Sequence, residues 1–220
     1  MIDIFTDPQY KHLYDCVPPR PQPSDFAVSF FKGKTGLTFV DVAANDGITW
    51  SNSLPFELNY NWNGLCIEPH PQAFKRLKQN RKCKCLNLAI SNTNEEVSFI
   101  VVEGQAEMLS GIARYYDSRH KNRLVNEVDN NKDKAYKQKI FAKSLQAVLD
   151  ENNIKEVNYL SIDTEGSEVA VIEGIDFSKT HIDLISMEVN YEIEPTCDVM
   201  IKKGYKFLQK VCGDAFFTKG

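Results

Sequence analysis

The strongest constraint in this chain is a repeated local pattern: a short apolar run that ends in acidic or small residues, then a turn, then helical spacing. Leu37-Thr-Phe-Val-Asp-Val42 is the first such run, and it breaks at Asn45-Asp46-Gly47, a turn signal. Gly64-Leu-Cys-Ile-Glu68 is the second, stopped by Pro69. Phe74 and Leu77 then stand at helical spacing within 71–80. Further strand-like runs cover 85–90, 96–102, 157–162 and 181–188. Helices are expected over 145–151, capped by Ser144, over 167–172, stopping at Gly174, and near 196–203, ending at Gly204. Segments 205–211 and 215–218 read as a closing hairpin. Alternating strands and helices imply a parallel sheet covered on both faces. The expected fold is therefore α/β and Rossmann-like, a central mostly parallel sheet with helices on both faces and an antiparallel closing strand.

The chain has 220 residues, enough for one buried core, which is assigned to 36–220. Residues 1–35 read as an N-terminal extension or linker, because Pro18, Pro19, Pro21 and Pro23 favour extended polyproline-like chain. A linker there fits a chain that is one domain of a larger multidomain enzyme. Residues 103–140 read as an irregular excursion with one short helix, a substrate-recognition insertion in which Met108-Leu-Ser-Gly-Ile112 folds over the site as a lid. The net charge of −4 argues against a broad basic face for nucleic acid. No apolar run reaches the roughly 18 residues of a membrane span, and the N-terminus lacks the pattern of a signal peptide. The six cysteines are irregularly spaced, with Cys83 and Cys85 one residue apart. Free thiols in a reducing compartment, and a cytoplasmic location, are expected.

In sheets of this kind ligands sit beyond the carboxyl ends of the strands, where the strand order reverses. The residues just after each run therefore carry the functional reading. Asp41-Val-Ala-Ala-Asn-Asp-Gly47 ends in small residues and a glycine that let backbone approach a ligand. Ala43 and Ala44 stand where a dinucleotide fingerprint would need glycine, and no P-loop lysine follows. An acidic turn suits a cationic ligand such as S-adenosylmethionine, with its sulfonium and ammonium; the same residues also suit a plain β-turn. Glu68 lies 27 positions after Asp41. It serves either as the acceptor for ribose hydroxyls or as a strand-end carboxylate in water. Ala89-Ile-Ser91 either flanks an adenine or packs in the core.

Ile162-Asp-Thr-Glu-Gly-Ser-Glu168 crowds three carboxylates at a strand-to-helix turn. Glu165 and Glu168 have a plain explanation in the helix dipole, whereas Asp163 ends a strand that faces the expected site. Asp163, Glu188 and Asn190 offer an all-oxygen set for Mg²⁺ or Mn²⁺, or else bind a substrate's hydroxyls with no metal. His70 and His120 are either general bases or surface residues.

Taken together, these segments resemble the FkbM-type methyltransferases. The resemblance is carried by Asp41-Val-Ala-Ala-Asn-Asp-Gly with Ser51-Asn52, Trp62-Asn-Gly-Leu-Cys-Ile-Glu-Pro69, Asn80-Arg81, Ala89-Ile-Ser91 and Ile162-Asp-Thr-Glu-Gly-Ser-Glu168, in that order. The family usually has Gly where this chain has Ala43. The resemblance implies S-adenosylmethionine-dependent O-methylation, often of sugars or other polyhydroxylated compounds. It implies that Asp41, Asn45, Asp46 and Gly47 line the methionine end of the cofactor, with Ser51 and Asn52 following on the first helix. It places Glu68 on the ribose, and Asp163 and Glu165 facing the methyl group. Ala43, Pro69, Ala89, Ile90 and Ser91 complete the expected cofactor contacts.

Asp163 is then the first candidate base, with Glu165, Glu188 and His120 as second choices. The expected partner is a small molecule or glycan, with no nucleic acid and no membrane. The alternative is a non-catalytic module that binds a nucleoside or glycan. A nicotinamide enzyme fits poorly, since no Tyr-x-x-x-Lys occurs.

Overall fold

The computed structural model describes residues 1–3, 6–10 and 21–220; His12, Cys16, Pro18 and Pro19 lie outside the described residues. In chain order the elements are α1 (Pro23–Phe30), β1 (Thr38–Val42), α2 (Leu54–Tyr60), β2 (Asn63–Ile67), α3 (Pro71–Asn80), β3 (Lys84–Leu86), β4 (Ala89–Ser91), β5 (Glu95–Glu103), β6 (Gly111–Ile112), α4 (Ser118–Asn131), β7 (Lys134–Ser144), α5 (Leu145–Glu151), β8 (Glu156–Ile162), α6 (Glu168–Glu173), β9 (His181–Glu188), α7 (Glu194–Lys202), β10 (Tyr205–Val211) and β11 (Asp214–Lys219).

Alternation within β1 decides the architecture. Val40 and Val42 face one way, Phe39 and Asp41 the other, and all four are buried. A strand buried on both faces needs cover on both. On the valine side, Leu65, Ile67, Leu160 and Ile162 join α5 and α6 through Leu145, Leu149, Val171 and Ile172. On the phenylalanine side, Cys66, Tyr159 and Leu184 join α2 and α3 through Phe56, Tyr60 and Leu77. The strand order is β10-β11-β9-β8-β1-β2-β3. The strands from β9 to β3 run parallel, and β11 is antiparallel to both β9 and β10. The chain builds outward from β1 to β2 and β3, then returns to its other side with β8 and β9. The reversal falls between β1 and β8.

Three segments differ from the sequence expectation. The run over 85–90 splits: β3 stays in the main sheet, while Ala89 and Ile90 enter β4 of a second sheet ordered β4-β7-β5-β6. Asn87 makes the break, donating to the carbonyls of Glu68 (2.7 Å) and Pro69 (3.2 Å). Residues 103–140 are ordered rather than irregular. They contain the 14-residue α4, and the Lys-rich run becomes β7, which pairs antiparallel with β5 from Glu95–Ala142 to Glu103–Lys134. Backbone pairing holds this strand, and its largely exposed side chains carry almost no apolar signal. Lastly, Pro23 opens a helix instead of extended chain. Its fixed φ suits a first turn, the Asp25 carboxylate accepts from Gln22 N at 2.8 Å, and Ala27 is fully buried. Phe26 meets Phe216 edge-on at 4.5 Å, which docks α1 against the main sheet.

Ser144 caps α5, accepting from Ala147 N at 3.2 Å. Ser144→Ala is expected to cost about 1 kcal/mol of stability, read from the chemical-denaturation midpoint. No described helix is long and apolar enough to cross a membrane.

Candidate functional site

The loop after β1, the end of β2 and the turn after β8 converge where the strand order reverses, the position at which open α/β sheets bind ligands. They line a partly open chamber, and pockets at this point of a sheet are where small molecules bind. Ala43, Asn45, Glu68, Pro69, Asp163 and Glu165 line the polar side. The apolar wall is Leu88, Ala89 and Ile90 with Phe99, Met108 and Ile112, so the second sheet supplies part of it. Glu107, Met108, Ser110 and Gly111 also line this chamber.

Glu68 is the main polar anchor. One carboxylate oxygen accepts from Asn45 N (2.8 Å) and the other from His70 N (2.7 Å), so the end of β2 fixes the β1 loop. Burial pushes Glu68 up to about 7, and those two N–H groups partly restrain the rise. His70, by contrast, is buried with both ring nitrogens engaged by backbone. Its Nδ1 accepts from Gln72 N and Ala73 N at the start of α3, which leaves Nε2 to donate to the Val102 carbonyl at 2.9 Å.

The turn after β8 has an unusual backbone. Glu165 has φ +55° and Gly166 φ +117°. A left-handed glutamate costs about 1–2 kcal/mol, and such strain clusters at functional sites. Glu168 stabilises this shape, one oxygen accepting from Thr164 N (2.9 Å) and Gly166 N (3.0 Å). The result is that Glu165 lines both the first chamber and a second, more open one. Tyr115, His120, Glu188, Asn190 and Tyr191 line the second. Glu165 is 8% exposed. His120 Nδ1 at 3.4 Å and Arg123 Nη1 at 3.8 Å feel its charge, yet Oε2 has no hydrogen-bond partner among the described residues. Burial, then the neighbouring Asp163, push Glu165 up to about 8. Burial holds His120 below its usual range, favouring the neutral ring.

Asp163 and Glu188 form a hydrogen-bonded carboxyl pair. Burial and the charge of Glu188 raise Asp163 well above the carboxylate range; burial and Glu165 raise Glu188 to about 7. Two carboxyls this close favour a state in which they share one proton. Oxygens of Asp163, Glu165 and Glu188 lie within 4.8 Å of one another. Asn190 Nδ2 donates to Glu188 Oε2 at 2.7 Å.

The remaining expected residues stand behind the chamber wall. Asp41 is buried and accepts from Ser53 Oγ. Asp46 folds the loop, accepting from Ile48 N (2.8 Å) and Thr49 N (2.7 Å). Gly47 packs against Leu77 and Arg81. Ser51 and Asn52 precede α2 and do not lie on it. Ser51 Oγ accepts from Leu54 N (3.1 Å), and Asn52 donates to Asp214 (3.0 Å). Ser91 Oγ hydrogen-bonds the Tyr115 hydroxyl at 2.9 Å. Sequence reasoning missed Phe99, Tyr115 and Tyr191. An apolar or aromatic residue that lines a site has the same sequence signature as one that packs a core.

Ala43 lines the chamber with φ +66°, the conformation that favours glycine. Ala43→Gly is expected to gain about 1 kcal/mol from relief of this strain, partly offset by backbone entropy. A thermal melt should show a higher midpoint.

The FkbM methyltransferase domain matches residues 41–208. No curated protein matches the chain significantly. Among solved structures, an FkbM methyltransferase from Methylobacillus flagellatus superposes with a TM-score of 0.50 at 12% identity, covering 96% of this chain and 50% of that one. This chain thus spans half the length of that protein. The N-terminal domain of human METTL16 (TM-score 0.47, 11% identity) covers 92% of this chain and 70% of that one. A TehB-like SAM-dependent methyltransferase from Corynebacterium glutamicum (TM-score 0.46, 8% identity) covers 96% and 95%. With that domain matching more than half of this chain, on a Rossmann-like sheet, the chain belongs to the FkbM family of methyltransferases.

Proposed function

We propose that this protein is an S-adenosylmethionine-dependent O-methyltransferase whose acceptor is a hydroxyl of a sugar or similar polyol. The observation that carries the reading is the position of Glu165, a buried carboxylate with an unpartnered oxygen between two chambers. The donor set suits the cofactor. Glu68 is placed to accept from ribose hydroxyls, Ala89, Ile90 and Phe99 give an apolar bed for a base, and the carboxylates favour positive charge. When bound, S-adenosylmethionine supplies an electrophilic methyl group on a sulfonium.

The protein's own residues do the rest. Tyr115 and Tyr191 flank the second chamber, with carboxylates suited to accepting from a polyol. A sugar hydroxyl ionises far above neutral pH, so a base must take its proton as the new C–O bond forms. Glu165 is better suited than Asp163, because Asp163 is committed to its hydrogen bond with Glu188. His120 lies beside Glu165, its Nδ1 3.4 Å from Oε2. The walls of the two chambers would hold the acceptor in line with the methyl group.

The test is incubation with S-adenosylmethionine and a panel of sugars, scored by S-adenosylhomocysteine release and by product mass. Cofactor binding with no turnover on any hydroxyl acceptor would favour the non-catalytic alternative. A second reading adds a divalent cation held by Asp163, Glu165 and Glu188, favoured by their clustered oxygens. If that reading holds, chelation should abolish turnover and Mg²⁺ or Mn²⁺ should restore it. Undiminished turnover in excess chelator would remove the cation.

A further inference from the structure

Asn80 and Arg81 line neither chamber, yet both reach the loop that follows β1. The loop that leaves β1 has four left-handed residues, Ala43 (φ +66°), Asn45 (+49°), Gly47 (+78°) and Trp50 (+55°). Most of its N–H groups are met by the Ile67 carbonyl, Glu68, Asp46 and the loop's own carbonyls, which leaves acceptors such as the Gly47 carbonyl to be met from outside the loop. Arg81 meets that need. Its side chain is fully buried, and Nη1 reaches the Gly47 carbonyl (3.3 Å), Ser51 Oγ (3.4 Å) and Ser53 Oγ (3.1 Å). Ser53 Oγ passes the connection to Asp41 on β1. Nε reaches Glu57 on α2 at 3.3 Å, and Glu57 also accepts from Cys83 N (3.2 Å) and Lys82 N (3.0 Å), fixing the chain that carries Arg81. Asn80 Nδ2 donates to the Asp46 carbonyl at 2.8 Å. The fit is steric as well: a Cβ on Gly47 would come within 2.6 Å of Arg81 Cγ.

We infer that Arg81, assisted by Asn80, is a positioning residue of the cofactor site: it touches no ligand but holds the 43–53 backbone in the shape that grips the amino-acid end of S-adenosylmethionine. A planar guanidinium can bridge one carbonyl, two hydroxyls and a carboxylate at once, which a lysine ammonium cannot. Glu68, which faces the nucleoside end, meets this loop only at Asn45 N and is carried by β2, and the apolar wall is attached to other elements. The inference rests on the cofactor reading above.

The test is calorimetry on the full chain with two ligands, S-adenosylhomocysteine and adenosine, which share the nucleoside and differ in the amino-acid arm. For Arg81→Lys, S-adenosylhomocysteine affinity should fall by roughly tenfold or more while adenosine affinity stays within about twofold. A merely structural role would weaken both ligands together, and that result, or no change in either, overturns the inference. Asn80 is exposed, so Asn80→Ala keeps the question open to measurement even if Arg81→Lys fails to fold. Its S-adenosylhomocysteine affinity should fall roughly threefold with adenosine unmoved, and an unaltered value there also overturns it. Wild-type protein that binds neither ligand would refute the cofactor reading itself.

Discussion

Replacing Glu165 with glutamine is expected to lower kcat by roughly 100- to 10,000-fold, the contribution typical of a positioned general base. S-adenosylhomocysteine affinity should change far less, since the substitution keeps the side chain's shape. The pH dependence gives a sharper signature. Burial and Asp163 push Glu165 to about 8, so its base form grows as pH rises through that value. Wild-type kcat/KM should therefore climb with pH and level off above about 8. Positive charge in the loaded site favours the ionised carboxylate, so the limb of kcat should lie at lower pH than that of kcat/KM. Steady-state rates across pH for both proteins check this. A variant that keeps the wild-type rate and the wild-type limb would exclude Glu165 as the base.

The second large effect concerns the nucleoside end. Hydrogen bonds to a charged acceptor contribute about 1.5–3 kcal/mol, so Glu68→Gln should weaken adenosine binding roughly ten- to hundredfold. Loss of one charged acceptor also releases one of the two N–H groups that Glu68 holds, on Asn45 and His70. Hydroxyl donors favour the ionised carboxylate. Because burial places Glu68 at about 7, affinity should rise as pH climbs through that value and decline below it. The variant should lack this dependence. Adenosine titrations at several pH values decide the matter, and a variant with wild-type affinity would detach Glu68 from the ribose. This substitution should weaken adenosine and S-adenosylhomocysteine alike, unlike Arg81→Lys.

The main sheet was legible because each parallel strand is buried on both faces and shows as a continuous apolar run that stops at a polar residue. Val40, Leu160 and Ile185 are fully buried. The same rule led to the strand ends, hence to Glu68, Asp163 and Glu165. The second sheet was not legible. β7 is held by backbone pairing with β5 while most of its side chains face solvent, and an exposed Lys-rich strand resembles a loop in composition. Helix α1 was obscured by the prolines that precede it, one of which starts it. Within the site, sequence identified the acidic residues but not their division of labour. Asp41 and Asp46 look as suitable as Glu68 until their hydrogen bonds to Ser53, Ile48 and Thr49 assign them to holding the loop. Nor does spacing reveal that the backbone at 165 turns left-handed, which is what brings that carboxylate to the boundary between chambers.

A side chain that borders two compartments makes their occupants interdependent. A cationic methyl donor on one side draws Glu165 toward ionisation and so readies it to receive a hydroxyl from the other. Thermodynamic reciprocity then requires that an acceptor engaging the ionised group tighten the hold on the donor. On the proposed mechanism, once the methyl has moved the sulfur is neutral and Glu165 holds the acceptor's proton, so the charge attraction across the boundary is gone. The spent pair should therefore part more readily than the loaded pair assembled, so that turnover is helped forward by the same residue that begins it.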